Sequence, residues 1–149
     1  MPSIDPNVAA IAAQCRHYAM CKIDYLGTGI CPSGPDRGFV AFYPQGRMDL
    51  VRGLAEGRIP VTEALLESAD TCTMCGLCDG QCHFVTGLRP TQVMQALKDY
   101  VAEFRRAGGE GIRPAEDEPL RRLRAVVGRD GASNDPAVLW TYADDPFPL

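Results

Sequence analysis

CTMCGLCDGQC, residues 72 to 82, sets four cysteines at the spacing C-x2-C-x2-C-x3-C. Two-residue gaps let a backbone wrap one corner of a cube, so that three thiolates reach three irons while loop N–H groups face the sulfides. The spacing is a bacterial iron–sulfur pattern in which Cys72, Cys75 and Cys78 grip one cluster and Cys82, a turn further on, serves another. Gly76, lacking a side chain, permits the close approach. A zinc knot is the competing reading. Zinc takes four thiolates at about 2.3 Å, usually from two separate CxxC pairs, and a single run suits that less well. No βαβ pattern surrounds the motif to favour a thioredoxin-like redox pair.

The other cysteines stand earlier, at Cys15, Cys21 and Cys31. Seven in all is an odd number, and they fall in two groups, which argues against a disulfide framework and for metal. Cys31 is followed by Pro32, as the last cysteine of such runs usually is, so it is assigned to the cluster of Cys72, Cys75 and Cys78 and completes a [4Fe–4S] site. Cys15, Cys21 and Cys82 remain for the second cluster: three thiolates without a fourth. In CRHYAMC, residues 15 to 21, Tyr18 stands where a middle cysteine would fall.

The remaining pattern is helical. Pro90 and Thr91 open a stretch in which Val93, Leu97, Tyr100, Val101 and Phe104 recur at helical spacing until Gly108 and Gly109 stop it. A helix is expected from about Arg47 to Ala55, a short one from Thr62 after Pro60, and a first one over Pro6 to Gln14 with Asp5 as its cap. No alternating stretch supports a sheet. After Gly108 the composition turns to Gly, Pro and acid and reads as a linker. Pro119 then opens LRRLRAVV, closed by Gly128, and Asp135 and Pro136 cap AVLWTYA; isolated helices so short are marginal, so their apolar faces need a surface. The division expected is an iron–sulfur module over residues 1–108 and a linker with a partner-binding tail over 109–149. A net charge of −4 without a basic stripe argues against nucleic acid. No basic leader or long apolar run appears, so a cytoplasmic chain without a transmembrane segment is expected.

These motifs resemble known families. The iron–sulfur subunit of succinate dehydrogenase and fumarate reductase carries an α-helical ferredoxin module with a C-x5-C-x3-C-P group that contributes to a [3Fe–4S] cluster, and CRHYAMC looks like the same replacement of the middle cysteine. The gap from Cys21 to Cys31 is longer here, nine residues, KIDYLGTGI. It admits Asp24 as a substitute ligand, which would restore a [4Fe–4S] cluster; both nuclearities stand open. The order of motifs over residues 10 to 107 is similar to the glycolate oxidase iron–sulfur subunit and the small subunit of heterodisulfide reductase, and YPQGRMDLVRGLAEG resembles the P-x-G-R segment that enters their first inter-cluster helix. His83 stands where those families usually have proline. A histidine beside a ligand more often bonds a sulfur or carbonyl than iron, so His17, Tyr18 and His83 are expected against the clusters rather than on them. The resemblance implies a mostly α fold, an α-helical ferredoxin with two iron–sulfur clusters and an extended C-terminal tail.

The tail from Pro119 resembles the first segment of FAD-linked oxidases of the vanillyl-alcohol oxidase type, which include glycolate and D-lactate dehydrogenases. No glycine-rich flavin loop follows, so FAD is expected only in a partner subunit held by residues 118–149; a helical extension packing on its own module is the plainer alternative. The function implied is relay of single electrons between a flavoprotein, a 2-hydroxyacid dehydrogenase by type, and another redox subunit, with no catalytic residue of its own. The alternative is a metal-stabilised interaction module, with zinc or one structural cluster and no redox role.

Overall fold

A computed structural model describes residues 2–143 and is mostly helical. The helices are α1 (Pro6–Ala12), α2 (Ser33–Arg37), α3 (Pro44–Ala55), α4 (Glu63–Asp70), α5 (Leu77–Thr86), α6 (Pro90–Arg106), α7 (Glu118–Val127) and α8 (Pro136–Ala143), with short 3-10 turns at Val40–Phe42 and Arg129–Gly131. Among the described residues the β-type pairing is a single isolated bridge between Thr62 and Ile112.

Local chemistry accounts for the helix boundaries. The Asp5 carboxylate accepts from Asn7 N–H at 2.7 Å to open α1, and the Thr62 hydroxyl accepts from Leu65 N–H at 3.2 Å to open α4. Asp117 opens α7 in the same way, accepting from Leu120 N–H at 2.8 Å. α3 starts three residues before the expected Arg47, because Pro44 supplies the preset φ of a first helical position. α1 ends at Ala12 rather than Gln14, its last turn tightening through Gln14 N–H to the Ile11 carbonyl. Helices α2 and α5 escaped the periodicity reading.

α3 is the hub, touching α1, α6 and α8. Its Met48, Leu50 and Val51 meet Leu65 of α4 and Val93, Met94, Leu97, Tyr100 and Val101 of α6 in one apolar core. Burial of these side chains is the main stabilising term, roughly 1.5–3 kcal/mol for each fully buried one. Residues 109–117 form no helix and lie along the entry to α4, where Ile112 N–H donates to the Val61 carbonyl at 2.9 Å and Glu63 N–H to the Ile112 carbonyl at 3.1 Å.

α8 lies on the same body. Trp140 donates through its indole N–H to the Asp49 carbonyl at 2.9 Å, between the Arg52 and Arg58 guanidiniums at 5.5 and 5.4 Å from its ring centre. Gly53 makes room for it: a Cβ there would stand 2.9 Å from the indole nitrogen. Asp135 caps α8 by accepting from Ala137 and Val138 N–H, and the same oxygen accepts from the Thr62 hydroxyl at 2.9 Å, which joins the caps of α8 and α4. α7 is different, since Leu120 is buried while Leu123, Val126 and Val127 are exposed. Residues 144–149 of the expected partner-binding tail lie outside the described residues. No helix is long and apolar enough to cross a membrane among the described residues.

Candidate metal centre

The cysteines of the sequence motif divide between a loop and a helix. Thr71 to Gly76 carry Cys72 and Cys75 in irregular backbone, and α5 then presents Cys78 and Cys82 one turn apart. Gly76 precedes α5 with φ +80°, the left-handed region that favours glycine, and a Cβ there would meet no protein atom within 4 Å. Its need for glycine within the protein is therefore backbone conformation. Met74, at φ +57°, shares the strained turn. Lys98 of α6 fixes the loop from below, donating to the carbonyls of Ala69 and Cys72, each at 2.9 Å. Asp79 ties α5 to the start of α6 by accepting from both the N–H and the hydroxyl of Thr91, at 2.9 and 2.6 Å.

Cys31, Cys72, Cys75 and Cys78 line one cavity. Cys15, Cys21 and Cys82 line a second, together with His17 and Tyr18. Pro44, at the head of α3, belongs to both walls. All seven cysteines are free thiols. Among the described residues, no three or more His, Cys, Asp or Glu side chains are grouped to hold a single metal ion.

In the four-cysteine cavity the dominant charge is Arg47, in the first turn of α3 and buried. It donates to the Ser68 carbonyl at 2.8 Å, the Ser33 hydroxyl at 2.8 Å, the Thr71 hydroxyl at 3.0 Å and the Cys31 sulfur at 3.5 Å. Ser33 in turn donates to the Phe42 carbonyl at 2.9 Å and lies 3.2 Å from the Cys31 sulfur. Burial works against the Cys31 thiolate, yet the Ser33 hydroxyl and the Arg47 guanidinium bring its pKa below the ordinary thiol value. Cys78 has no such help, and burial pushes it up to about 12.

The three-cysteine cavity is closed by the CRHYAMC loop. His17 and Ala19 have φ of +53° and +63°, unusual for residues with a Cβ, and these two reversals fold the loop so that Cys15 and Cys21 share a wall. The His17 ring is 2.9 Å from the buried Asp49 carboxylate of α3, which raises its pKa to about 10, with Cys15 adding to the effect. Burial drives Cys21 up to about 12 and also raises Cys82, whose sulfur lies 2.9 Å from the Thr86 hydroxyl. Such thiols ligate only as thiolates, so a bound metal has to displace their protons.

Asp24 is placed away from both cavities. Its carboxylate accepts from Thr28 N–H at 3.0 Å and Gly29 N–H at 2.9 Å, folding the long loop on itself, and from the Gln81 amide at 2.7 Å. His83 sits at the exposed end of α5, its ring 3.0 Å from the Gly87 carbonyl. Three side chains that organise the site were not singled out by the sequence reading. Gln81, fully buried between Cys78 and Cys82, also donates to Thr28 and to the Gly29 carbonyl and accepts from Tyr25 N–H at 3.3 Å. Arg47 was legible only as the end of a P-x-G-R string, and Asp49 as a polar residue on a helix whose apolar positions drew the attention.

The donor chemistry fits iron–sulfur groups: four soft thiols, with a thioether and hydroxyls beside them, in one cavity, and three thiols with a phenol and an imidazole nearby in the other. No family model, curated protein or solved structure matches the chain.

Proposed function

We propose that this chain is an electron-transfer iron–sulfur protein, with a [4Fe–4S] cluster held by Cys31, Cys72, Cys75 and Cys78 and a second cluster, [3Fe–4S] or [4Fe–4S], held by Cys15, Cys21 and Cys82. The observation that carries the reading is the grouping of the cysteines in space. Two adjacent cavities take four and three of them, and each joins thiols far apart in sequence. A motif acting alone would not need Cys31 in the cavity that Cys72, Cys75 and Cys78 line.

Iron–sulfur clusters, when bound, accept and release single electrons at potentials tuned by charge, hydrogen bonds and exposure. The chain's own residues do the rest. The thiols hold the clusters, the paired serine and arginine on Cys31 favour its ionised form, and the shared Pro44 lies between the two sites. The exposed face of α7 is the part of the tail offered to a partner, for which a FAD-linked 2-hydroxyacid dehydrogenase is the proposed class, with a further redox subunit beyond it. A reducing compartment such as the cytoplasm suits seven unpaired thiols.

Metal and sulfide analysis with EPR on anaerobically purified protein is the direct test. About seven iron per chain with a [3Fe–4S] signal in the oxidised form is expected for a three-thiolate second site, and about eight iron would require a fourth ligand there. Zinc without sulfide would overturn the electron-transfer reading in favour of a metal-stabilised interaction module.

A further inference from the structure

Arg47 is 1% exposed. A guanidinium cannot shed its proton at any ordinary pH, so its charge has to be met inside the fold. Its hydrogen bonds run to a carbonyl, two hydroxyls and a thiol sulfur, and none of them reaches a carboxylate. Arg47 lines the four-cysteine cavity beside three of those partners, Cys31, Ser33 and Thr71. The countercharge therefore belongs in the cavity. The other cavity has no matching arrangement: its lining His17 is bonded to Asp49, and its lining Arg16 is exposed, where solvent screens it.

We infer that Arg47 sets the reduction potential of the four-cysteine cluster, its fixed charge at the Cys31 sulfur favouring the reduced form. The inference rests on the electron-transfer reading. One-electron reduction forms and breaks no bond to the protein and adds one negative charge to the cavity; the electron comes from a reduced flavin in the proposed complex, or from dithionite in the laboratory. Arg47 meets that added charge at low local dielectric, where a fixed cation acts more strongly than at the surface. Ser33, Ser68 and Thr71 prevent the guanidinium from turning away, so its contribution is built in before the electron arrives. Arg47 acts through Cys31 and is a positioning residue.

The test is an EPR-monitored redox titration with dithionite of the full chain and its Arg47→Gln and Arg47→Lys variants, after iron and sulfide have been counted in each. Arg47→Gln is expected to lower the reduced-to-oxidised ratio of the four-cysteine cluster about tenfold at fixed poise, a shift of about 59 mV for one electron. The other cluster should stay at its wild-type midpoint. Arg47→Lys, which keeps the charge, should stay within about threefold of wild type in that ratio. An unmoved midpoint in Arg47→Gln with its iron retained overturns the inference alone, as does an equal shift of both clusters. Should Arg47→Gln lose its iron, Arg47→Met is titrated in its place: a tenfold fall with Arg47→Lys within threefold supports a charge effect, and an unmoved midpoint in Arg47→Met overturns it. Absence of iron and sulfide from the wild-type protein would overturn the electron-transfer reading and this inference together.

Discussion

Gln81 holds the loop that separates Cys21 from Cys31, using both ends of its amide on Asp24, Tyr25, Thr28 and Gly29. Leucine at this position would fit the volume and remove the amide donor from the Gly29 carbonyl and the Asp24 carboxylate. Gln81→Leu is expected to destabilise the metal-free protein by about 2 kcal/mol, read as a lower urea midpoint at unchanged slope. Limited proteolysis should then cut first between residues 22 and 30. The cysteines that line the two cavities stand out in the sequence by their spacing, while Gln81 and Arg47 do not, because a polar side chain on a helix looks the same in one dimension whether it faces solvent or a buried sulfur. Asp24 shows the converse. An acid in a long gap between cysteines invites a ligand role, but its hydrogen bonds are those of a loop-closing Asx residue.

At the scale of elements, α6 was the easiest to read, since Val93, Leu97, Tyr100 and Val101 repeat at helical spacing and are buried as that repeat requires. α5 was hidden by its own chemistry. Its cysteines occupy the positions from which a periodicity would be read, and Phe84 and Val85 are exposed, so its apolar pattern is not that of a core-facing helix. α8 was read from its cap, but its docking site was not, because nothing local announces that Gly53 makes room for Trp140. Trp140→Ala is expected to cost about 2 kcal/mol, less than the roughly 3–5 of a fully buried tryptophan. Gly53→Leu should fill the same space from the other side and release α8. Hydrogen exchange at Val138 to Thr141 rising in both variants, with α6 still protected, is the measurement that checks this.

Across the whole molecule, the tail behaves as two parts. α8 is stitched to the module through Trp140, Asp135 and Tyr142, whose hydroxyl accepts from Val40 N–H at 3.0 Å, whereas α7 leaves Leu123, Val126 and Val127 exposed, Val126 at 83%. Deleting residues 118 to 149 would therefore remove packing from α3 as well as any partner contact. Leu123→Glu with Val126→Glu separates the two effects: the melting temperature is expected to move little, and copurification of the proposed flavoprotein partner to be lost. Retention of the partner by this double variant would assign the binding surface elsewhere.

The shared wall of the two cavities has a consequence for how the protein matures. Their cysteines are nested along the chain: the span from Cys31 to Cys72 lies inside the span from Cys21 to Cys82. Where the proposed clusters bind before the helices between Cys31 and Cys72 have folded, tying the inner span shut leaves only short stretches of free chain for the outer one, and loop closure grows more costly with each doubling of free length, by about 0.6 kcal/mol. Assembly should then run from the inside outward. On the proposed ligand sets, iron delivered in limiting amount would fill the four-cysteine site first, and a Cys31→Ser chain would load neither site well, whereas a Cys15→Ser chain would still complete the inner one.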